Sequence, residues 1–153
     1  MIALIQRVAH AEVTVAGLSV GRIDAGLLAL IGIEKDDDAR IGERLLDRVL
    51  AYRVFADADG RMNRSLAETG GGLLLVSQFT LAADTHKGLR PGFSGAAAPA
   101  AAQQLFSQLL ETARQRHQPV ATGQFGAHMQ VSLVNDGPVT FWLQVSGGAL
   151  AGP

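Results

Sequence analysis

The spacing of apolar residues along this chain changes character several times, and each change predicts an element. Short runs rich in Val, Ile and Leu come first: Ile2 to Ala9, Glu12-Val13-Thr14-Val15, and Leu27-Leu28-Ala29-Leu30-Ile31-Gly32-Ile33. Gly17, Gly21 and Gly26 punctuate them at hairpin-like intervals, so three or four adjacent strands, mostly antiparallel, are expected. After Asp36-Asp37-Asp38 the apolar positions shift to Ile41, Leu45, Leu46, Val49 and Leu50. That spacing predicts a helix from Asp38 to Tyr52, with its acidic residues at the positive end of the helix dipole. Arg53-Val54-Phe55 then reads as a short strand closed by the turn Asp57-Ala58-Asp59-Gly60.

Beyond Gly70-Gly71-Gly72, the run from Leu73 to Leu81 reads as a buried strand whose far end turns polar at Ser77, Gln78 and Thr80. Strand alternation would send Ser77, Phe79 and Leu81 to one face and Gln78 and Thr80 to the other. Residues 84–99 form a long connection of Thr, His, Lys, Gly, Pro and small side chains, the kind of loop that carries function. Pro99 opens a second helix, with Ala100, Ala101 and Ala102 supplying propensity and Leu105, Phe106, Leu109 and Leu110 an apolar face. Arg114, Arg116 and His117 fall in its last turn, where the dipole favours cations. His128 to Val134 and Val139 to Val145 read as two further strands, joined by a sharp turn at Asn135-Asp136-Gly137-Pro138. One domain over residues 1–145 is expected, followed by a flexible tail over 146–153 with little to bury.

Composition narrows the class. With 153 residues, 48% hydrophobic and 18% charged, one globular domain with a sizeable core is expected. Lys plus Arg number 13 against 14 Asp plus Glu, a formal net charge of −1, which excludes a globally basic nucleic-acid binder and leaves room only for a local basic patch. The absence of Cys removes disulfides, thiolate zinc sites and cysteine nucleophiles, and fits a reducing cytoplasm. The apolar N-terminal run is broken by Arg7, and the longest apolar stretch, Gly26 to Ile33, falls far short of the roughly 20 residues that span a bilayer. A cytoplasmic protein, not integral to a membrane, is expected.

Few motifs offer chemistry. His10, His86, His117 and His128 make no i,i+4 pair and no HExxH, so no metal site is expected. Asp57, Asp59 and Gly60 open like a calcium loop, but the further oxygen ligands and the Glu at the twelfth position do not follow. Ser77 lacks the Gly-x-Ser-x-Gly elbow, and a triad with His86 and Asp84 is left to geometry. Neither GxGxxG nor a phosphate loop is present, so no nucleotide cofactor is expected. On residue types alone, Ser77, Gln78 and Thr80 are most simply half-buried polar groups bonded to backbone.

Taken together, Ser77-Gln78-Phe79-Thr80-Leu81 and Asn135-Asp136-Gly137-Pro138-Val139-Thr140 resemble, in order and spacing, the two signature motifs of the D-aminoacyl-tRNA deacylases. The likeness extends from Met1-Ile2-Ala3-Leu4-Ile5-Gln6-Arg7-Val8 through Glu34-Lys35-Asp36, Met62-Asn63 and Arg90-Pro91 to Phe141-Trp142-Leu143-Gln144-Val145. Gly92, where a Ser is common before Phe93, and the Gly-rich tail depart from the pattern without touching either motif.

The resemblance implies a mixed α/β (α+β) fold: a largely antiparallel twisted sheet closing towards a barrel, packed with two main helices, in a homodimer. It further implies a cofactor-free hydrolase acting on the ester between a D-amino acid, or achiral glycine, and the 3′-terminal adenosine of tRNA, with its active site at the subunit interface. By the same resemblance Ser77, Gln78, Phe79 and Thr80 surround the ester, while Gly137 and Pro138 of the partner subunit, joined by a cis peptide, read the α-carbon. Met129, Arg7, Met62 and Asn63 complete the substrate-binding set. Arg7 either orients the Gly-Pro turn or is a plain surface charge, and Met129 and Met62 either line an adaptable pocket or fill core. Lys87, Arg90, Arg61 and Arg64 either hold tRNA phosphates or are solvated surface charges.

The implied chemistry is physically coherent. Two carbonyl oxygens of a rigid turn can accept hydrogen bonds from an α-ammonium group, so that an L side chain would be driven into backbone while any D side chain projects outward. Glycine cannot be rejected this way. Backbone N–H groups around Phe79 can stabilise the developing oxyanion. Thr80 has no base beside it in sequence, and the resemblance points to direct attack by water assisted by the ribose 2′-hydroxyl. Two other classes remain: a small-ester hydrolase with Thr80 or Ser77 as covalent nucleophile, and a non-catalytic dimeric binding module.

Overall fold

Strand β1 (Ile2–Val15) runs unbroken through the stretch that the apolar pattern divides in two. It gives Ala3 and Ile5 to one apolar cluster and Val8, Ala11 and Val13 to a second. The computed structural model describes residues 1–147, and the tail expected to be flexible lies outside the described residues from position 148 onward. β1 is followed by β2 (Leu18–Ile23), β3 (Gly26–Gly32), helix α1 (Ala39–Ala51) and the two-stranded ribbon β4 (Arg53–Ala56) and β5 (Met62–Ser65). Then come a single turn of helix, α2 (Leu66–Thr69), strand β6 (Gly72–Ser77), the long helix α3 (Pro99–Arg116), β7 (Val120–Thr122) and β8 (Gln130–Gln144).

The helices begin where the sequence supplies caps. The Asp38 carboxylate accepts the Ile41 N–H at 2.8 Å, satisfying a donor that the first turn of α1 leaves free. Ser65 and Glu68 form a reciprocal capping box at α2. Pro99 opens α3, whose Phe106, Leu109 and Ala113 enter the larger core beside Leu45, Leu46 and Val49 of α1.

The sheet has the order β2-β1-β3-β6-β7, with β8 on the opposite edge of β1. Residues 2–8 of β1 pair with β3 and residues 11–15 with β2, both antiparallel, whereas β3, β6 and β7 run parallel to one another. The expected mixed fold with two main helices is therefore present, and the sheet curls until β2 nearly meets β7. A Cβ added to Gly21 would sit 2.2 Å from the carbonyl oxygen of Thr122. Only a residue without a side chain permits that approach.

Four local expectations change. The segment 73–81 is a strand only as far as Ser77, and Phe79–Ala82 winds into a 3-10 turn, so the predicted two-face alternation through Leu81 does not occur. The two C-terminal strands form one long strand, because both halves pair with β1 rather than with each other. His117 is not an exposed cation of a last turn: it caps α3, is buried, and its Nε2 lies 2.7 Å from the Gly71 carbonyl oxygen. Finally β5, α2 and β7 were not foreseen, since runs this short carry too few positions to show a period. Among the described residues no helix is long and apolar enough to cross a membrane.

The α-ammonium of Met1 ties the strand ends together. It donates to Glu34 at 2.8 Å, Asp37 at 2.6 Å and the Val145 carbonyl at 2.7 Å. Burial pushes Glu34 up, but its bonds to the ammonium and to Gln144, with the ammonium charge, outweigh burial and leave it below the usual carboxylate range. Asp37 is more deeply placed, and burial wins, raising it despite the same ammonium.

A carboxylate held low in the folded state adds stability above its unfolded pKa, and that contribution is lost as pH falls through the folded value. Glu34→Gln should therefore lower the urea midpoint at pH 7, with the gap to the unaltered chain narrowing below about pH 4 as both reach the neutral form. Gly21→Ala should cost about 1–3 kcal/mol in urea denaturation, because the added methyl must push β2 away from β7.

Candidate active site

The end of β6 delivers its polar residues to the wall of a cavity. Gln78 is bound to the sheet through its N–H, which donates to the Ile31 carbonyl at 2.7 Å. Immediately after it the chain leaves the sheet in the 3-10 turn, and the turn's first N–H groups have no acceptor within it. Among the described residues neither the Phe79 nor the Thr80 N–H meets a backbone acceptor. Both are available to a ligand.

The cavity holds about 670 Å³, within the size range of a small-molecule site. Ser77, Gln78 and Phe79 line one side, Met129 another, and Ala96, Ala97 and Ala98 before α3 leave room by their small size. Phe79 and Phe93 meet at its rim with ring centroids 5.0 Å apart, and both are exposed. Among the described residues no Asp, Glu, Lys or Arg lines the cavity, and His128 is the one titratable side chain that does. Among the described residues no group of three His, Cys, Asp or Glu side chains is placed to hold a metal.

Three sequence expectations meet this geometry directly. The Ser77 triad does not assemble: neither His86 nor Asp84 lines the cavity, and Asp84 spends an oxygen on the backbone N–H of His86. Thr80 is exposed, and its Oγ1 accepts from Gln78 Nε2 at 2.6 Å. An amide donor occupies a lone pair of the hydroxyl and takes no proton from it, so Gln78 supplies Thr80 with no general base. Met129 does line the cavity and is half-buried.

The other predicted residues gather elsewhere. Between Gln6 and Val8 of β1 lies one residue, Arg7, while between their partners Thr140 and Asn135 of β8 lie four, residues 136–139. The surplus loops out and carries Gly137 and Pro138 into solvent, joined by a cis peptide. Arg7 grips the base of this loop. Its Nε donates to the Asp136 carbonyl at 2.9 Å and lies 3.4 Å from the Asp136 carboxylate, and its Nη1 donates to the Val54 carbonyl of β4 at 2.7 Å. With its side chain only 17% exposed, Arg7 is an orienting residue and not a loose surface charge.

Asn135 clasps the loop from within. Its Oδ1 accepts the Val139 N–H and its Nδ2 donates to Thr140 Oγ1, each at 2.8 Å. Gly137 has φ of +144°, a region closed to most side chains, and a Cβ there would meet Val139 at 2.6 Å. Met62 and Asn63 stand exposed on β5, the partner strand of β4, and Asn63 donates to Asp57 at 2.8 Å. That bond, ahead of the backbone N–H groups of Arg61 and Asp59, holds the Asp57 carboxyl below its usual range.

Arg7, Gly137, Pro138, Met62 and Asn63 do not line the cavity of their own chain. The predicted site residues thus fall into two groups on one molecule: a cleft without a gate, and a projecting turn without a cleft. Phe93, Phe125, the small run Ala96-Ala97-Ala98 and His128 were missed as lining residues. The loop composition of residues 84–99 marks part of this set, but nothing in the order of residues shows that 125–129 face it.

Comparison with known proteins places the chain. Residues 4–144 match the family described as D-Tyr-tRNA(Tyr) deacylase. A D-aminoacyl-tRNA deacylase of Azotobacter vinelandii is 69% identical over 144 residues, covering 94% of this chain and 99% of that protein. One of Escherichia coli is 59% identical over 145 residues, covering 95% and 100%. Among solved structures, a protein described as c-Myc DNA Unwinding Element Binding Protein superposes with a TM-score of 0.92 at 37% identity, covering 96% of this chain and all of that one. A probable eukaryotic D-amino acid tRNA deacylase shares the fold, with a TM-score of 0.82 at 16% identity over 94% of this chain and 98% of its own. With its two motifs standing at one cavity wall and one clamped turn, this chain belongs to the D-aminoacyl-tRNA deacylase family.

Proposed function

We infer that the chain is a D-aminoacyl-tRNA deacylase, hydrolysing the ester between a D-amino acid or glycine and the terminal adenosine of tRNA, and that it works as a homodimer. The observation that carries the dimeric reading is the separation of cleft and turn: each chain exposes a Gly137-Pro138 loop held rigid by Arg7 and an open cavity elsewhere. A second copy supplies what each lacks. The outer edge of β8, which among the described residues has no partner strand besides β1 on its other side, favours such an association, as do exposed Val134 and Trp142 along the same strand.

In this arrangement the turn of the partner subunit caps the cavity and accepts hydrogen bonds from the substrate α-ammonium through its carbonyls. A D side chain points away from the turn, an L side chain meets backbone, and glycine passes. Selection by exclusion explains how one site accepts many D side chains.

Hydrolysis requires water to add to the ester carbonyl, the oxyanion to be stabilised, and the ribose oxygen to leave with a proton. The unpaired N–H groups of Phe79 and Thr80 are positioned to serve the oxyanion, worth about 2.7–4 kcal/mol for one donor in comparable sites. Among the described residues no Asp, Glu, Lys or Arg lines the cavity, which supports a mechanism, implied by the family resemblance, in which the 2′-hydroxyl of the substrate assists the attacking water. Gln78 holds the Thr80 hydroxyl in place, and Thr80 acts by position rather than by covalent attack. The substrate places the reaction in the cytoplasm.

The deciding experiment compares D-Tyr, L-Tyr and Gly esters of tRNA: the D and Gly esters should be cleaved and the L ester spared. Equal cleavage of both hands would overturn the chiral gate. Thr80→Ala should keep most of the single-turnover rate, while a 2′-deoxy substrate should be nearly inert; a burst of acyl-enzyme would support the covalent alternative instead. Gly137→Ala, by displacing the turn, should slow D-Tyr-tRNA cleavage about 100-fold. Trp142→Asp should halve the sedimenting mass and abolish activity together, and an active monomer would sink the shared-site reading.

A further inference from the structure

We propose that the tip of the loop between Asp84 and Gly92, through Lys87 and Arg90, is the clamp for the phosphates of the tRNA 3′ end as it enters the cavity. This rests on the deacylase reading and extends it to the part of the substrate beyond the terminal nucleoside.

The loop springs from the cavity itself. Its incoming strand of chain follows the 3-10 turn that begins at Phe79, and its outgoing strand leads into Phe93 and Ala96, all of them lining residues except the turn's later part. Asp84 and Gly92 close its base with a pair of backbone hydrogen bonds, at 2.7 and 3.0 Å. Asp84 also accepts the His86 N–H at 2.9 Å, which fixes the first bend of the tip. Both ends of the loop are thus anchored beside the two aromatic rings of the cavity, Phe79 and Phe93.

The tip is built as a contact surface and not as part of the core. Residues 85–91 are exposed, and Leu89 buries none of its side chain. Several guanidinium groups elsewhere are already engaged: Arg7 and Arg116 pair with carboxylates, and Arg44, Arg48 and Arg64 donate to backbone carbonyls. Among the described residues Lys87 and Arg90 have neither a salt bridge nor a hydrogen-bond acceptor. Lys87 and Arg90, three residues apart on a loop rooted in the cavity wall, concentrate positive charge on that loop in a chain whose net charge is −1. A polyanion whose end must be threaded into a cleft that, among the described residues, has no Lys or Arg in its lining is what such a placement fits.

The test compares two esters: full-length D-tyrosyl-tRNA and 2′(3′)-O-(D-tyrosyl)adenosine, which lacks the upstream phosphates. Lys87→Ala/Arg90→Ala should raise KM for the tRNA ester about tenfold at near-physiological salt and flatten the log KM against log salt dependence by about 1.4, two single-strand contacts' worth. Its kcat on the tRNA ester, and its kinetics on the adenosine ester, should equal those of the unaltered chain, which also shows that the variant is folded. Lys87→Arg/Arg90→Lys should restore the tRNA KM. Arg40→Ala/Arg114→Ala, which removes the same charge from α1 and α3, should behave as the unaltered chain on both esters. An unchanged tRNA KM in the loop variant, an equal loss on both esters, or an equal loss in the α1 and α3 control would each overturn the proposal. Failure of the unaltered chain to cleave either ester would overturn the deacylase reading itself, and the clamp with it.

Discussion

The structure depends on β1 being paired along both edges. One edge takes β3 and then β2, and the other takes β8 along nearly its full length. A strand fixed on both sides cannot slip, because a shift of one residue would exchange its buried and exposed faces. The mismatch at Arg7, one residue on β1 against four on β8, is therefore forced outward, and the Gly137-Pro138 loop is its result. Arg7 sits at the mismatch with its guanidinium directed to both sides, Asp136 on the loop and Val54 on the ribbon. The register that builds the sheet also presents the turn.

The second strand that matters is β6, whose interior position between β3 and β7 explains its almost uninterrupted apolar sequence. Where it runs out of partners, after Ser77, the backbone must find other acceptors or leave them to a ligand. It does both. Gln78 closes the last bond to β3, and the 3-10 turn that follows frees two N–H groups beside an apolar cavity. A cleft with oriented backbone donors and, among the described residues, no Asp, Glu, Lys or Arg in its lining suits a reaction in which the substrate brings its own activating hydroxyl, and it suits poorly a mechanism built on paired carboxylates.

These two features, a turn without a cleft and a cleft without a turn, make sense of the long uncovered edge of β8. A 15-residue edge strand carrying exposed Val134 and Trp142 is a liability in a free monomer and an asset in a pair. Association would place on one substrate the residues that folding alone keeps apart.

Much of this was legible in the order of residues. The α1 helix with its acidic start, the Pro99 start of α3, and the polar end of β6 at Ser77 follow from local periodicity and the helix dipole, which neighbours in sequence settle among themselves. The two motifs, which only their likeness to a family made meaningful, were equally visible there. Other features depended on partners distant along the chain. That Phe79 leaves the strand, that Gln130–Gln144 form one strand against β1, that His117 turns inward to Gly71, and that β7 exists at all are outcomes of pairing and packing between remote segments. Arg7 shows the division most clearly: its charge is written in the sequence, but whether it is a loose surface cation or the clasp of a turn is decided by the position of Val54 and Asp136, 47 and 129 residues away.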